Sequence, residues 1–180
     1  MYENILLKTA SFFIEHPYKE IYLREFGKKL KISVFAAKKY LDMLLKEQFI
    51  KEERKANLRY FKANVGSLFY KYEKIAFAMR KLQKAELVEY IISKANASSI
   101  VLFGSVAKGE NEEKSDIDIV IIGNNKLINF EEVEKKIGAK INEHRFKWNE
   151  WKQTSEKNKA FYYDVISYGI PIYGELPIVK

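Results

Sequence analysis

Two aspartates separated by one residue, Asp116 and Asp118, lie near the start of the segment SDIDIVII at 115–122. Residues two apart on a strand project from the same face, so both carboxylates point the same way. Like charges held this close are costly unless a cation lies between them. Magnesium suits such a pair, because it takes one or two carboxylates and leaves its other positions to phosphate oxygens and water. Ten residues upstream, Gly104-Ser105 follows the apolar run Ile100-Val101-Leu102-Phe103. A glycine there lets the backbone approach a phosphate, and the Ser105 hydroxyl can bond a phosphate oxygen. Triphosphate binding with magnesium is the chemistry these residue types support together.

Ile100–Phe103 reads as a buried strand, because it is wholly apolar and bounded by a turn signal. Val106-Ala107-Lys108 then starts a short helix closed by Gly109, whose N-terminus would offer free N–H groups to the phosphates. The segment 115–122 alternates at first and becomes wholly apolar, the pattern of a central strand. Phe130 to Gly138 is expected as a helix, with Glu131-Glu132 in its first turn and Lys135-Lys136 in its last. Lys140 to Phe146 follows as a strand, and helix resumes near Asn149.

Strand, Gly-Ser, ten residues, Asp-x-Asp and a second strand, written here as GSVAKGENEEKSDIDIVI, resemble the motif of the polymerase-beta-like nucleotidyltransferases, in particular the minimal ones. The resemblance covers about residues 85–180. The closing VISYGIPIYGE looks like that family's ending, a helix, a glycine and a short tail around Tyr173-Gly174. It implies that Gly104 and Ser105 cradle the β- and γ-phosphates of a triphosphate such as ATP, and that Asp116 and Asp118 hold magnesium.

It also implies a third carboxylate on the strand after the helix, holding a second metal and accepting the proton of the attacking hydroxyl. Asn142, in GAKINEHRF, occupies that place and has no charge. Glu143 beside it points to the opposite face unless a β-bulge shifts the register. His144 shares a face with Asn142 and is either a phosphate contact or a strand-surface residue. Trp148 and Trp151 either stack a base or anchor the last helices.

Charge separates the two halves. Residues 1–78 hold 16 Lys and Arg against 9 Asp and Glu, a net +7, whereas residues 79–180 hold 16 against 15, a net +1. A positive field confined to one half marks it as the nucleic-acid candidate. Its elements read as helices over 2–15, 21–30 and 33–47, Ser33 being the N-cap of the third, with Val34, Ala37, Leu41, Leu44 and Leu45 as its apolar stripe. Strands at 49–54 and 59–64 follow, joined by a turn at Asn57. Residues 23–64 look like the winged-helix domains of small archaeal and bacterial transcription regulators. The departure is Lys31, where those domains usually place the turn glycine. The recognition helix would expose Lys38 and Lys39, and the wing would carry Arg59 and Lys62 to duplex DNA.

The expected architecture is α+β: a winged helix-turn-helix domain over 1–66, a connector helix or helix pair over 67–95, and a small mixed-sheet nucleotidyltransferase domain over 96–180. The connector, with Leu68, Tyr72, Ile75, Met79, Leu82, Leu87 and Ile91 at helical spacing, serves either as a homodimer surface or to pack its own domains. No cysteine is present and only two histidines, His16 and His144, which argues against a zinc site. With no membrane span and no signal peptide, a cytoplasmic place is expected. Three functions remain open: nucleotidyl transfer coupled to DNA binding, a regulator that senses a nucleotide without turnover, or adenylylation of a toxin-like protein partner.

Overall fold

The computed structural model describes residues 5–112, 115–124 and 127–179, so the first three residues of the helix expected over 2–15 lie outside it. The chain divides into two compact units, Met1–Lys74 and Ile75–Lys180.

In the first unit, α1 (Ile5–Glu15) precedes a two-residue strand, β1 (Ile21–Tyr22), and α2 (Leu23–Leu30). The strand corrects the expectation of helix from residue 21. Ile21 and Tyr22 pair antiparallel with Phe61 and Tyr60, which gives their backbone a partner that no local pattern reveals. Lys31 takes the left-handed conformation at φ 55°, and the Ile32 N–H closes the helix end on the Gly27 carbonyl at 2.9 Å. Then α3 (Val34–Lys46) starts at Ser33, whose side chain accepts from the Ala36 N–H at 3.1 Å. Its buried stripe is Ala37, Leu41 and Leu44, while Val34 is exposed, because the first turn extends beyond the core. A hairpin of β2 (Ile50–Lys55) and β3 (Leu58–Ala63) turns through Ala56 and Asn57, with Ala56 taking the positive φ of 52°. The sheet order is β1-β3-β2. Phe12, Phe13, Phe26, Leu41 and Phe61 fill the core with edge-on and stacked rings.

α4 (Leu68–Lys84) crosses the division between the units. Tyr70 lies in the first core, its hydroxyl donating to the Phe13 carbonyl at 3.0 Å, and burial pushes its pKa up to about 12. Ala78 and Leu82 belong to the second core. α5 (Leu87–Ala95) follows a break at Glu86, so the segment expected as one or two helices is two. Leu82, Leu87 and Ile91, considered above as dimer residues, are buried within the second unit.

That unit continues with β4 (Ser99–Phe103), α6 (Gly104–Ala107), β5 (Ile117–Ile122), α7 (Glu131–Ile137), β6 (Ile141–Phe146), α8 (Trp148–Lys157), α9 (Lys159–Tyr168) and β7 (Ile170–Tyr173). The sheet order is β6-β5-β4-β7, with β5 and β6 parallel and the other neighbours antiparallel. The central strand expected at 115–122 is β5, which begins at Ile117. Ile100, Leu102, Ile119 and Ile121 pack with α4, α5 and α7, and Val101, Phe103, Val120 and Ile122 pack with α8 and α9. Apolar residues on both faces of β4 and β5 explain why these strands read as unbroken hydrophobic runs. β7, expected only as tail, forms the edge beside β4, and Pro171 is tolerated there because an edge strand can lack one donor.

Candidate functional site

The ladder sets Phe103, Asp118 and Asn142 side by side on three adjacent strands, β4, β5 and β6. Asp118 shares the face of Val120 and Ile122, the α8–α9 side. β4 ends at Phe103, and Gly104 turns the chain with φ 70°. A Cβ built at Gly104 would overlap Asp118 Oδ2 and lie 3.1 Å from its Cγ. Glycine is therefore required there twice, for the backbone angle and for the aspartate's space. The sequence suggested two neighbouring motifs, and the structure brings them into contact.

Asp116 is exposed just before β5, and Asp118 is half-buried. The Ile117 N–H bonds the Lys140 carbonyl at 2.8 Å, which extends the parallel pairing to the edge where both aspartates sit. Among the described residues neither aspartate has an ion pair. The side-chain bond at Asp118 comes from the Asn142 amide, Nδ2 to Oδ1 at 2.9 Å. The donor set suits a hard divalent cation: two carboxylates, an amide that could present its carbonyl after a half-turn, and no thiol. No group of three His, Cys, Asp or Glu forms a metal cluster among the described residues.

The β5–β6 register runs from Ile117–Ile141 to Ile122–Phe146 without a shift, so Glu143 faces away from Asp118. Its carboxylate lies 3.2 Å from Arg145 Nε, and burial pushes its pKa above the ordinary carboxylate range despite that neighbour. His144 sits among rings, 5.4 Å from Phe103 and 5.2 Å from Phe161. Trp151 is fully buried and donates to the Pro177 carbonyl at 2.6 Å, whereas Trp148 is exposed.

Ser105 is half-buried, and its carbonyl receives the Glu110 N–H at 2.9 Å, tying the loop back on itself. α6 is a single turn, so its dipole is weak, and an anion held here would rest on the loop backbone and Ser105. Lys108, just beyond it, reaches Asp164 on α9 at 2.5 Å, and that bond raises its pKa. No local pattern points to this anchor between the loop and α9, because its partner lies 56 residues away.

The nucleic-acid candidates divide. Lys38 and Lys39 are exposed on α3 and carry no ion pair among the described residues. Arg59 forks onto Glu52, at 2.7 and 2.8 Å, and reaches Asp42 at 2.9 Å while lying over the Phe61 ring. Lys62 is 3.3 Å from Glu20 and 3.7 Å from Glu53, and Lys55 pairs with Glu20 as well. Both hairpin cations proposed from sequence are thus held by acids of the same unit.

A family model described as polymerase beta, nucleotidyltransferase, matches residues 85–176, just over half of the chain. No curated protein matches it. A solved structure of a toxin-antitoxin with AMP-PNP is similar over 49% of this chain and 71% of its own, at 18% identity and a TM-score of 0.38, a likeness too slight to bear on function.

Proposed function

Because the chain belongs to the polymerase beta nucleotidyltransferase family, we propose that its second unit binds a nucleoside triphosphate with magnesium, and that its first unit is a winged helix that binds duplex DNA. The observation that carries the nucleotide reading is the contact between Gly104 and Asp118. It joins the anion-binding loop and the cation-binding carboxylate into one site, with the Asn142 amide at its edge. Gly104 and Ser105 would hold the β- and γ-phosphates, and Asp116 and Asp118 would hold the magnesium, which supplies charge neutralisation on the triphosphate. The chain's own part is positioning. The Lys108–Asp164 pair fixes the loop against α9, and the parallel β5–β6 register fixes Asn142 beside Asp118.

Nucleotidyl transfer to an acceptor hydroxyl, on a partner protein or elsewhere, then depends on what accepts the proton. Asn142 cannot, and Glu143 is on the other face. That one observation favours a second reading, in which the unit binds a nucleotide as a sensor and turnover is slow or absent. Calorimetry of the full chain with ATP and magnesium tests the site itself. Incubation with labelled ATP then separates the two readings: label on an acceptor supports transfer, and tight binding without transfer supports the sensor.

For the first unit, Lys38 and Lys39, exposed and without an ion pair among the described residues, are the phosphate contacts of this reading, and Arg59 is a structural staple. DNA affinity should fall with salt by a slope of about −0.9 per phosphate contact. Lys38→Ala with Lys39→Ala should flatten that slope by nearly two, and Arg59→Ala should leave it unchanged. A slope indifferent to the lysines would refute the assignment.

A further inference from the structure

A cavity of about 540 Å³ opens between β6 and the α8–α9 junction. That volume is typical of a small-molecule site. Its apolar part is aromatic: His144 and Phe146 from β6, and Phe161 from α9. The His144 and Phe161 rings lie 5.2 Å apart, and both stand 5.4 Å from Phe103, the residue that leads into Gly104. The cavity's inner wall therefore abuts the entrance to the phosphate loop. His144 also lies two residues along β6 from Asn142 and on the same face.

Arg145 lines the cavity with its guanidinium 3.2 Å from Glu143 of the same strand, and the other polar groups are of two kinds. Glu150 accepts the Lys147 N–H at 2.8 Å and Thr154 donates to the Glu150 carbonyl at 2.9 Å, so both hold α8 together. Gln153 and Lys157 are exposed at the rim and have no partner among the described residues. Asn158 uses Oδ1 to cap α9 at Phe161 N, 3.3 Å away, which leaves its Nδ2 donor for a ligand. A site with aromatic walls, neutral amides at its edge, one ammonium and a guanidinium paired to Glu143 has the chemistry of base recognition. Flat rings stack on aromatic faces, and amides read the polar edge. An acyl chain would have no use for the amides. A bare phosphate would have none for the rings.

We propose that this cavity binds a nucleobase. The base belongs either to the donor triphosphate or to an acceptor nucleotide, since both present the same flat, edge-polar ring system. The donor source rests on the triphosphate reading of Gly104 and Ser105, and the cavity's affinity for a base does not.

The test uses the full chain with three probes: adenosine, inorganic tripolyphosphate with magnesium, and ATP with magnesium. Affinity is measured by calorimetry, and the side-chain amide signals of Gln153 and Asn158 are followed by NMR. If the base is the donor's, ATP binds about 10- to 100-fold tighter than tripolyphosphate, the range expected for stacking one base. Gln153→Ala with Lys157→Ala, both at exposed positions, then narrows that gap several-fold and leaves tripolyphosphate affinity unchanged. If the base is the acceptor's, ATP and tripolyphosphate bind alike, and adenosine still shifts both amides when ATP is present. If tripolyphosphate does not bind while adenosine shifts the amides, the cavity assignment stands and the triphosphate site fails. If neither adenosine nor ATP shifts either amide, the cavity is not a base site.

Discussion

In the first unit Glu20 meets Lys55 and Lys62, and Glu52 and Asp42 share Arg59. In the second unit Asp118 has the Asn142 amide for company, and Asp116 has no ion pair among the described residues. Both sets of carboxylates are at least partly exposed. The difference is where the compensating charge comes from. The hairpin's acids are neutralised within the chain, which fixes geometry and leaves nothing for a ligand. The aspartates at the start of β5 have no such partner among the described residues, which is what the proposed cation site requires. A surface charge therefore says little about function until its partner is known.

Removing the uncompensated pair should have the largest effect. Asp116→Asn with Asp118→Asn should abolish magnesium-dependent ATP binding in calorimetry. It should leave the melting temperature of the magnesium-free protein equal or higher, because like charges are relieved. Unchanged ATP affinity would end the metal-site proposal and the contrast with it.

Next comes Asn142→Asp, which adds a third charge to the same edge. Without metal the variant should melt lower, since the amide bond to Asp118 becomes a repulsion. Magnesium should restore the loss, and nucleotidyl transfer should rise on the order of 10²–10³-fold if a general base is the missing element. Glu143→Gln is the control and should leave transfer unchanged. If Glu143→Gln eliminates transfer while Asn142→Asp does nothing, the face assignment of β6 is wrong.

A smaller effect is expected from Arg59→Ala. Losing the fork on Glu52 and the ring contact with Phe61 should cost about 1–2 kcal/mol, after discounting the bond to the more exposed Asp42. Thermal unfolding of the full chain should show it as a drop of several degrees in the transition of the first unit. A drop in DNA affinity without a drop in stability would make Arg59 a contact residue after all.

The smallest effect is a difference in pH dependence. Hydrogen bonds from Lys55 and Lys62 hold Glu20 below its ordinary value of 4.5, and the bond from Arg59 does the same for Glu52. Their stabilisation is complete above 4.5 and is lost as pH falls through the lowered folded values. Glu143 has the opposite sign: burial favours its neutral form, so its penalty appears as pH rises above 4.5. In melting curves taken across the acid range, Glu52→Gln should flatten the acid-side loss, and Glu143→Gln should remove a penalty present at neutral pH. Identical pH profiles for the two variants would contradict the opposed environments.

What could be read from the sequence was what depends on neighbours along the chain. Gly104-Ser105, the Asp-x-Asp spacing, the central strand, the Ser33 cap and the left-handed Lys31 are all local patterns. Two short edge strands escaped, because β1 and β7 are strands only by virtue of Phe61 and Val101 as partners. The charges of Arg59 and Lys62 were legible and their use was not, since Asp42 and Glu20 lie 17 and 42 residues away. The cavity at β6 escaped for the same reason: His144, Gln153 and Phe161 share no motif and meet only through the α8–α9 turn.

The contact between Gly104 and Asp118 also constrains how such a site can change over generations. Any side chain at 104 collides with the carboxylate at 118, so position 104 is tied to glycine for as long as Asp118 is kept. Asn142 stands on the edge strand, and its bond to Asp118 is at the surface, so it can be exchanged by single steps. Divergence between enzyme and sensor in this lineage is therefore expected to begin at the third position, with the loop and the first two aspartates changing last.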